Sequence, residues 1–267
     1  MKHYILLSLL LLSATVIQAD EKTLLQQAID GSHRSKVHKN RDIYRHPKET
    51  LSFFEVKANM TVVEIWPGGK GWYTEILAPY LKESGKLYTA HFSVNSNVAY
   101  FTKNLQMFKL KIKAEPNIYS KVIVTALHPP EEINISPKGS ADRVLTFRNI
   151  HNWMKNNQAE TVFKAFYASL KQGGILGVIE HRGLEGSDQD PLAKSGYVKQ
   201  SYVIALAEKA GFKFVDKSEL NANAKDTTNY AKGVWTLPPS LRLKQLYKNK
   251  YLAIGESDRM TLKFIKP

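Results

Sequence analysis

The run Thr61-Val62-Val63-Glu64-Ile65-Trp66-Pro67-Gly68-Gly69-Lys70-Gly71 limits what this chain can fold into more than any other stretch. A short β-branched segment suited to a strand stops at a Trp-Pro pair, and glycines follow immediately. Helix-like spacing resumes over Trp72-Tyr73-Thr74-Glu75-Ile76-Leu77-Ala78. Strand, glycine turn and helix recur in kind. Further strands are expected over 86–90, 121–125, 142–147 and 174–180, and helices over 97–110, 153–170 and 197–210. Strands alternating with helices of this length need right-handed crossovers, and hence a mainly parallel sheet covered on both faces. The end departs from that rule. Strands over 212–215 and 260–265 are separated by a long stretch containing Trp235, Pro238 and Pro239, which suits an antiparallel finish carrying an insertion.

The flanks and totals narrow the setting. Met1-Lys2-His3 precedes an apolar run from Tyr4 to Ile17, then Gln18-Ala19. That run is shorter than the roughly 20 residues of a membrane span, and its basic start and small boundary residue read as a secretory signal cleaved near Ala19. The expected organisation is a signal over 1–19, a helical segment over 20–56 and one main domain over 57–267, with a periplasmic or secreted location. The helical segment rests on the spacing of Leu24, Leu25, Ala28 and Ile29, and on Pro47, which suits a first helical turn. There is no cysteine, which removes disulfides, thiolate metal sites and a cysteine nucleophile. Net charge is +14, with Lys103, Lys109, Lys111 and Lys113 the densest stretch. Such an excess favours weak electrostatic contact with anionic lipid or another polyanion, although no specific nucleic-acid motif accompanies it.

Gly68, Gly69 and Gly71 allow a tight turn and close backbone approach to a ligand, beside the N–H groups of a helix start that attract negative charge. The pattern is neither a P-loop nor a dinucleotide fingerprint, because Gly71 follows Lys70 where Ser or Thr is required and Thr74 stands where a third glycine belongs. The eight histidines are dispersed, with no HExxH pair, so no metal is expected; no Gly-x-Ser-x-Gly elbow supports serine hydrolysis.

With its acid before a glycine-rich turn, the segment 62–74 resembles the first motif of the class I S-adenosylmethionine (SAM)-dependent methyltransferases. Residues 84–90, 142–147 and 170–176 are similar to that family's second strand, fourth strand and the turn before its fifth, and 200–215 to the following helix and strand. Within the superfamily the chain looks closest to a group of exported, poorly characterised methyltransferases, which share the wording around 66–74, 236–242 and 255–260. The resemblance implies a Rossmann-like, doubly wound α/β fold and SAM as cofactor. It places Glu64 near the ligand's ammonium group, Gly68, Gly69 and Gly71 near its carboxylate, and Tyr73, His91, Arg148 and Asn149 around the cofactor. Two departures stand out. Trp66-Pro67 replaces a small glycine, and His91 stands where the family has an acid that accepts both ribose hydroxyls.

Strand ends form the ligand crevice of open α/β sheets. His151 and His181 are accordingly candidate catalytic bases, with Trp153 and Arg182 as candidate contacts to a small-molecule substrate. The expected function is SAM-dependent methyl transfer to a small or envelope-associated acceptor. The alternative is an exported binding protein, or a different enzyme, that keeps the fold and has lost or changed the SAM site.

Overall fold

The computed structural model describes residues 23–267, so the signal read over 1–19 lies outside the described residues. Seven strands form one sheet: β1 (Thr61–Ile65), β2 (Lys86–His91), β3 (Val122–Ala126), β4 (Ala141–Phe147), β5 (Leu170–His181), β6 (Lys213–Ser218) and β7 (Arg259–Ile265). Their order is β3-β2-β1-β4-β5-β7-β6. The first five pair in parallel, and β7 runs antiparallel between β5 and β6. The insertion between β6 and β7 contains a 3-10 turn, Gly233–Thr236, and a helix, Lys248–Ile254.

Alternation along the strands feeds two apolar layers. Val63 and Ile65 point into one, Val62 into the other, and Val144 and Leu145 divide in the same way. The first layer is closed by α8 (Ile150–Lys155), α9 (Ala159–Ser169) and α10 (Gln200–Lys209), through Trp153, Phe163, Phe166 and Leu206. The second is closed by α5 (Thr74–Leu81) and by the N-terminal helices, α1 over 23–30 and α4 (Pro47–Phe53). Two four-residue turns of helix, α2 (Lys36–Lys39) and α3 (Asp42–Arg45), link α1 to α4. Between β2 and β3 lie α6 (Ala99–Ala114) and the short α7 (Pro116–Tyr119).

The helix expected over 153–170 is two helices. Asn157 adopts φ 54°, a left-handed conformation that asparagine tolerates, and the chain turns there between α8 and α9. The break lets α8 begin at Ile150, directly after β4, and thereby sets His151 on the sheet edge.

Phe54 follows α4 and seats the N-terminal segment on the sheet at Gly177 of β5. A Cβ there would lie 2.8 Å from the Phe54 ring and 2.8 Å from a Leu145 methyl. Gly177→Ala is therefore expected to cost about 1–3 kcal/mol through overpacking, read as a lower urea midpoint at unchanged slope.

Candidate functional site

The turn after β1 is built as its glycines require, but its surroundings are occupied. Gly68 and Gly71 take φ 68° and 56°, and Trp66, where a glycine would be easiest, takes φ 47°. That backbone turns the indole inward. It packs against Phe92, Phe101 and Trp153 at ring separations of 4.7, 5.5 and 5.3 Å, and its Nε1 donates to the Leu127 carbonyl at 3.0 Å. Trp66, Phe92 and Leu127 are buried, and Phe92 stacks on Phe101 at 4.2 Å. The Gly69 N–H, free in principle to meet an anion, donates to Asn104 Oδ1 of α6 at 3.0 Å.

Two of the polar residues expected to hold an adenosyl ligand, Glu64 and His91, are similarly engaged. Glu64 is buried and accepts the Thr74 hydroxyl at 2.6 Å, and burial pushes its carboxyl up to about 8. Burial thus favours the protonated form, and an ammonium group placed beside it would pull the carboxyl back toward ionisation. His91 is fully buried, held by the Gly68 carbonyl at 3.3 Å and the Phe92 N–H at 2.8 Å. Burial lowers it to about 4, so it is an uncharged packing residue at neutral pH.

A different constellation forms at the ends of β4 and β5. Glu180, fully buried, accepts the backbone N–H groups of Ile150, His151 and His181, and its Oε1 lies 3.1 Å from His151 Nδ1. The His151 and His181 rings are 5.5 Å apart. His181 Nδ1 meets Ser257 Oγ at 2.6 Å, and Trp235 lies edge-on to His151 at 5.8 Å, so the β6–β7 insertion forms one wall. Burial, then His151 and Arg148, keep His181 well below its usual pKa. His151, Glu180 and His181 bring three ligand-type atoms within 4.8 Å of one another. Glu180 is already saturated by N–H donors, however, and arginines ring the group, which disfavours a cation.

Those arginines are the second component. Glu256 bonds Arg41 at 2.6 Å and Arg259 at 3.1 Å, with Arg45 at 3.5 Å. Burial opposes ionisation of Glu256, but Arg45, Arg259 and Arg41 together hold it down at about 2. Arg148 adds a fourth guanidinium beside them, at φ 63°, lowered by burial and then by Arg259 to about 10 and therefore still charged. Among the described residues its guanidinium has no hydrogen-bond or ion-pair partner, and the buried Nε of Arg45 makes no hydrogen bond. Arg148, His181 and Trp235 each keep part of their surface in contact with solvent.

The expected site residues thus separate. His151, His181 and Arg148 come together, and Tyr73 lies near them, stacked on Phe147 at 3.6 Å. Asn149 is a brace, donating to the Ile65 carbonyl at 3.0 Å. Trp153 is fully buried behind Trp66 in the core, where a substrate does not reach. Arg182 is spoken for by a two-point pairing with Asp258 and a bond to Glu219. Arg45, Glu180, Glu256, Ser257 and Arg259 were not singled out from sequence. The only available signal was the adjacency of Glu180 to His181 and the charged string 256–259 before the last strand.

No protein family model matches the chain, and no curated protein matches it in sequence. Solved structures do match in shape. A SAM-dependent methyltransferase from Aquifex aeolicus superposes with a TM-score of 0.56 at 14% identity, covering 85% of this chain and 93% of that one. The [4+2]-cyclase SpnF gives 0.57 at 13% identity over 94% and 95%. The SAM-dependent methyltransferase SibL gives 0.52 at 13% identity, over 86% and 57%. Likeness at such identity is a likeness of architecture, and the naming of one neighbour for a cyclisation shows that the architecture is not bound to one reaction. In strand order, in its antiparallel last pairing and in overall shape, this chain has the Rossmann-like fold of the class I SAM-dependent methyltransferases.

Proposed function

We propose that this is an exported protein that binds a small anionic molecule, bearing a carboxylate or phosphate, at the ends of β4 and β5, and that His151 exchanges a proton with it. The observation that carries the reading is the unpaired Arg148 guanidinium beside Arg45, with Glu256 shared among the other arginines. Arg148 reaches solvent, finds no protein acceptor and is crowded by further guanidinium groups, so an anion bound there relieves like-charge repulsion. Glu180 fixes the His151 ring through Nδ1, the arrangement that orients a histidine for general base work at Nε2. Neutral His181 adds a second ring nitrogen without adding to the local positive charge.

A second reading, methyl transfer from SAM to an acceptor in the same crevice, is favoured by the glycine turn and by the SAM-dependent enzymes among the structural neighbours. It places the adenosyl ligand beside the turn that Trp66 closes on its inner side. Calorimetric titration separates the two: the first expects no heat with SAM or S-adenosylhomocysteine at millimolar concentration, and micromolar binding would establish the second. For the anion site, inorganic phosphate or a dicarboxylate in low-chloride buffer is expected to raise the melting temperature of the wild type. Arg148→Met should abolish that rise. A rise of equal size in the variant, or none in the wild type, removes the anion reading.

A further inference from the structure

The helix α6 is poorly used by the fold. Of its side chains only Leu105 and Phe108 are buried, while Tyr100 and Leu110 are 64% and 61% exposed and Met107 is exposed as well. In helical projection Tyr100, Met107 and Leu110 fall on one outward stripe. Val94 and Val98, both exposed, extend that apolar surface through the loop before the helix. A shallow groove along the helix, lined by Val94, Thr102, Gln106 and Leu110, continues it.

Charge accompanies the stripe. Lys103 lies within it, Lys113 borders it, and Lys109 stands beyond Lys113 along the groove, all exposed. Lys111 is instead paired with Glu75. No Asp or Glu occurs between Gly85 and Ala114, so the helix itself carries no acidic side chain among its lysines. A solvated basic face would account for the lysines but not for Tyr100, Met107 and Leu110 among them. A surface in which exposed apolar side chains flank Lys103 and further lysines lie beyond them matches the boundary between anionic headgroups and acyl chains. There lysine stems cover apolar surface while their ammonium groups stay at the phosphates, and tyrosine sits at headgroup level.

We infer that α6 docks this protein on anionic lipid, with Tyr100, Met107 and Leu110 entering the acyl boundary and Lys103, Lys109 and Lys113 meeting the headgroups. This surface is distinct from the crevice at β4 and β5 and stands whether or not the anionic-ligand reading holds. The test is co-sedimentation of the purified protein with phosphatidylcholine vesicles, with and without phosphatidylglycerol.

The wild type is expected to pellet with the anionic vesicles only. Lys103→Gln/Lys109→Gln/Lys113→Gln should weaken partitioning by about 100-fold, since each basic side chain at such a surface contributes about fivefold. Tyr100→Ser/Met107→Ser/Leu110→Ser should weaken it by at least about tenfold while leaving the melting temperature unchanged, because these side chains carry little of the fold. Failure of the wild type to pellet, or full retention by the serine variant, overturns the inference. Tighter binding to duplex DNA than to vesicles, indifferent to the serine changes, would also overturn it and assign the lysines to a polyanion.

Discussion

Trp66→Gly is expected to destabilise the protein by about 1–4 kcal/mol and, at the same time, to give it an affinity for flat heterocycles that the wild type lacks. Removing a buried tryptophan typically costs 3–5 kcal/mol through lost contacts and the cavity left behind. Glycine returns part of this, because Trp66 occupies φ 47°, a conformation that costs an L side chain about 1–2 kcal/mol. The cavity would be walled by Phe92, Phe101 and Trp153 and would contain one free acceptor, the Leu127 carbonyl that now takes the indole N–H. Free indole restores each of those contacts. It should therefore raise the melting temperature of the variant in a concentration-dependent way and leave the wild type unmoved. Adenosine offers a ring of similar size with an amino donor for the same carbonyl, and SAM and S-adenosylhomocysteine carry that ring. Binding of these to the variant alone would mean that the turn still has the shape of an adenosyl site and that one side chain closes it. If the variant unfolds no more easily than the wild type and binds none of them, the indole is not seated as described.

How far this arrangement is legible from sequence depends on the range of the interactions involved. The β1 turn is local: β-branched residues followed by Gly68 and Gly71 determine strand and turn through backbone preference, and the parallel pairing of the first five strands follows from their alternation with helices. The single helix expected over 153–170 failed at one residue, Asn157, because apolar spacing reports which face is buried and says little about where a helix ends. The departure at Trp66 is visible in the sequence as bulk in a glycine's place, but the direction of the indole depends on Phe92, Phe101 and Trp153, which arrive from three other segments. The arginine cluster is less legible still. Arg41 and Arg45 come from the N-terminal helical segment, Arg148 from the end of β4, and Glu256 and Arg259 from the far side of the last insertion. Each alone reads as one more exposed cation in a basic chain; only their convergence on Glu256 gives them a function.

Glu64→Gln is expected to stabilise the protein by about 3 kcal/mol at pH 7 and to remove the fall in stability between about pH 6.5 and 8. A carboxyl raised to about 8 in the folded state holds its proton there, while in the unfolded chain it loses that proton near pH 4.5. The folded state thus binds more protons throughout that interval, and stability falls as pH rises from about 4.5 to 8, by about 1.4 kcal/mol per unit. His91 acts with the opposite sign. Lowered to about 4, it remains neutral in the fold while the unfolded residue charges below about 6.5, so its contribution is full above 6.5 and fades as pH falls toward 4. His181, also lowered, adds to that trend. Between about 4.5 and 6.5 these slopes oppose one another, and above 6.5 the Glu64 penalty acts alone, which places the stability maximum of the wild type near pH 6.5. Glutamine is neutral at every pH and retains a carbonyl for the Thr74 hydroxyl. Urea titrations at about pH 5 and pH 8 should show little difference between the two proteins at the lower value and the variant clearly ahead at the higher. A variant less stable than the wild type at pH 8, with the wild-type slope preserved, would mean that Glu64 is ionised in the fold. A carboxylate at that position would then be poised for a cationic group, and the methyl-transfer reading would regain the residue it most needs.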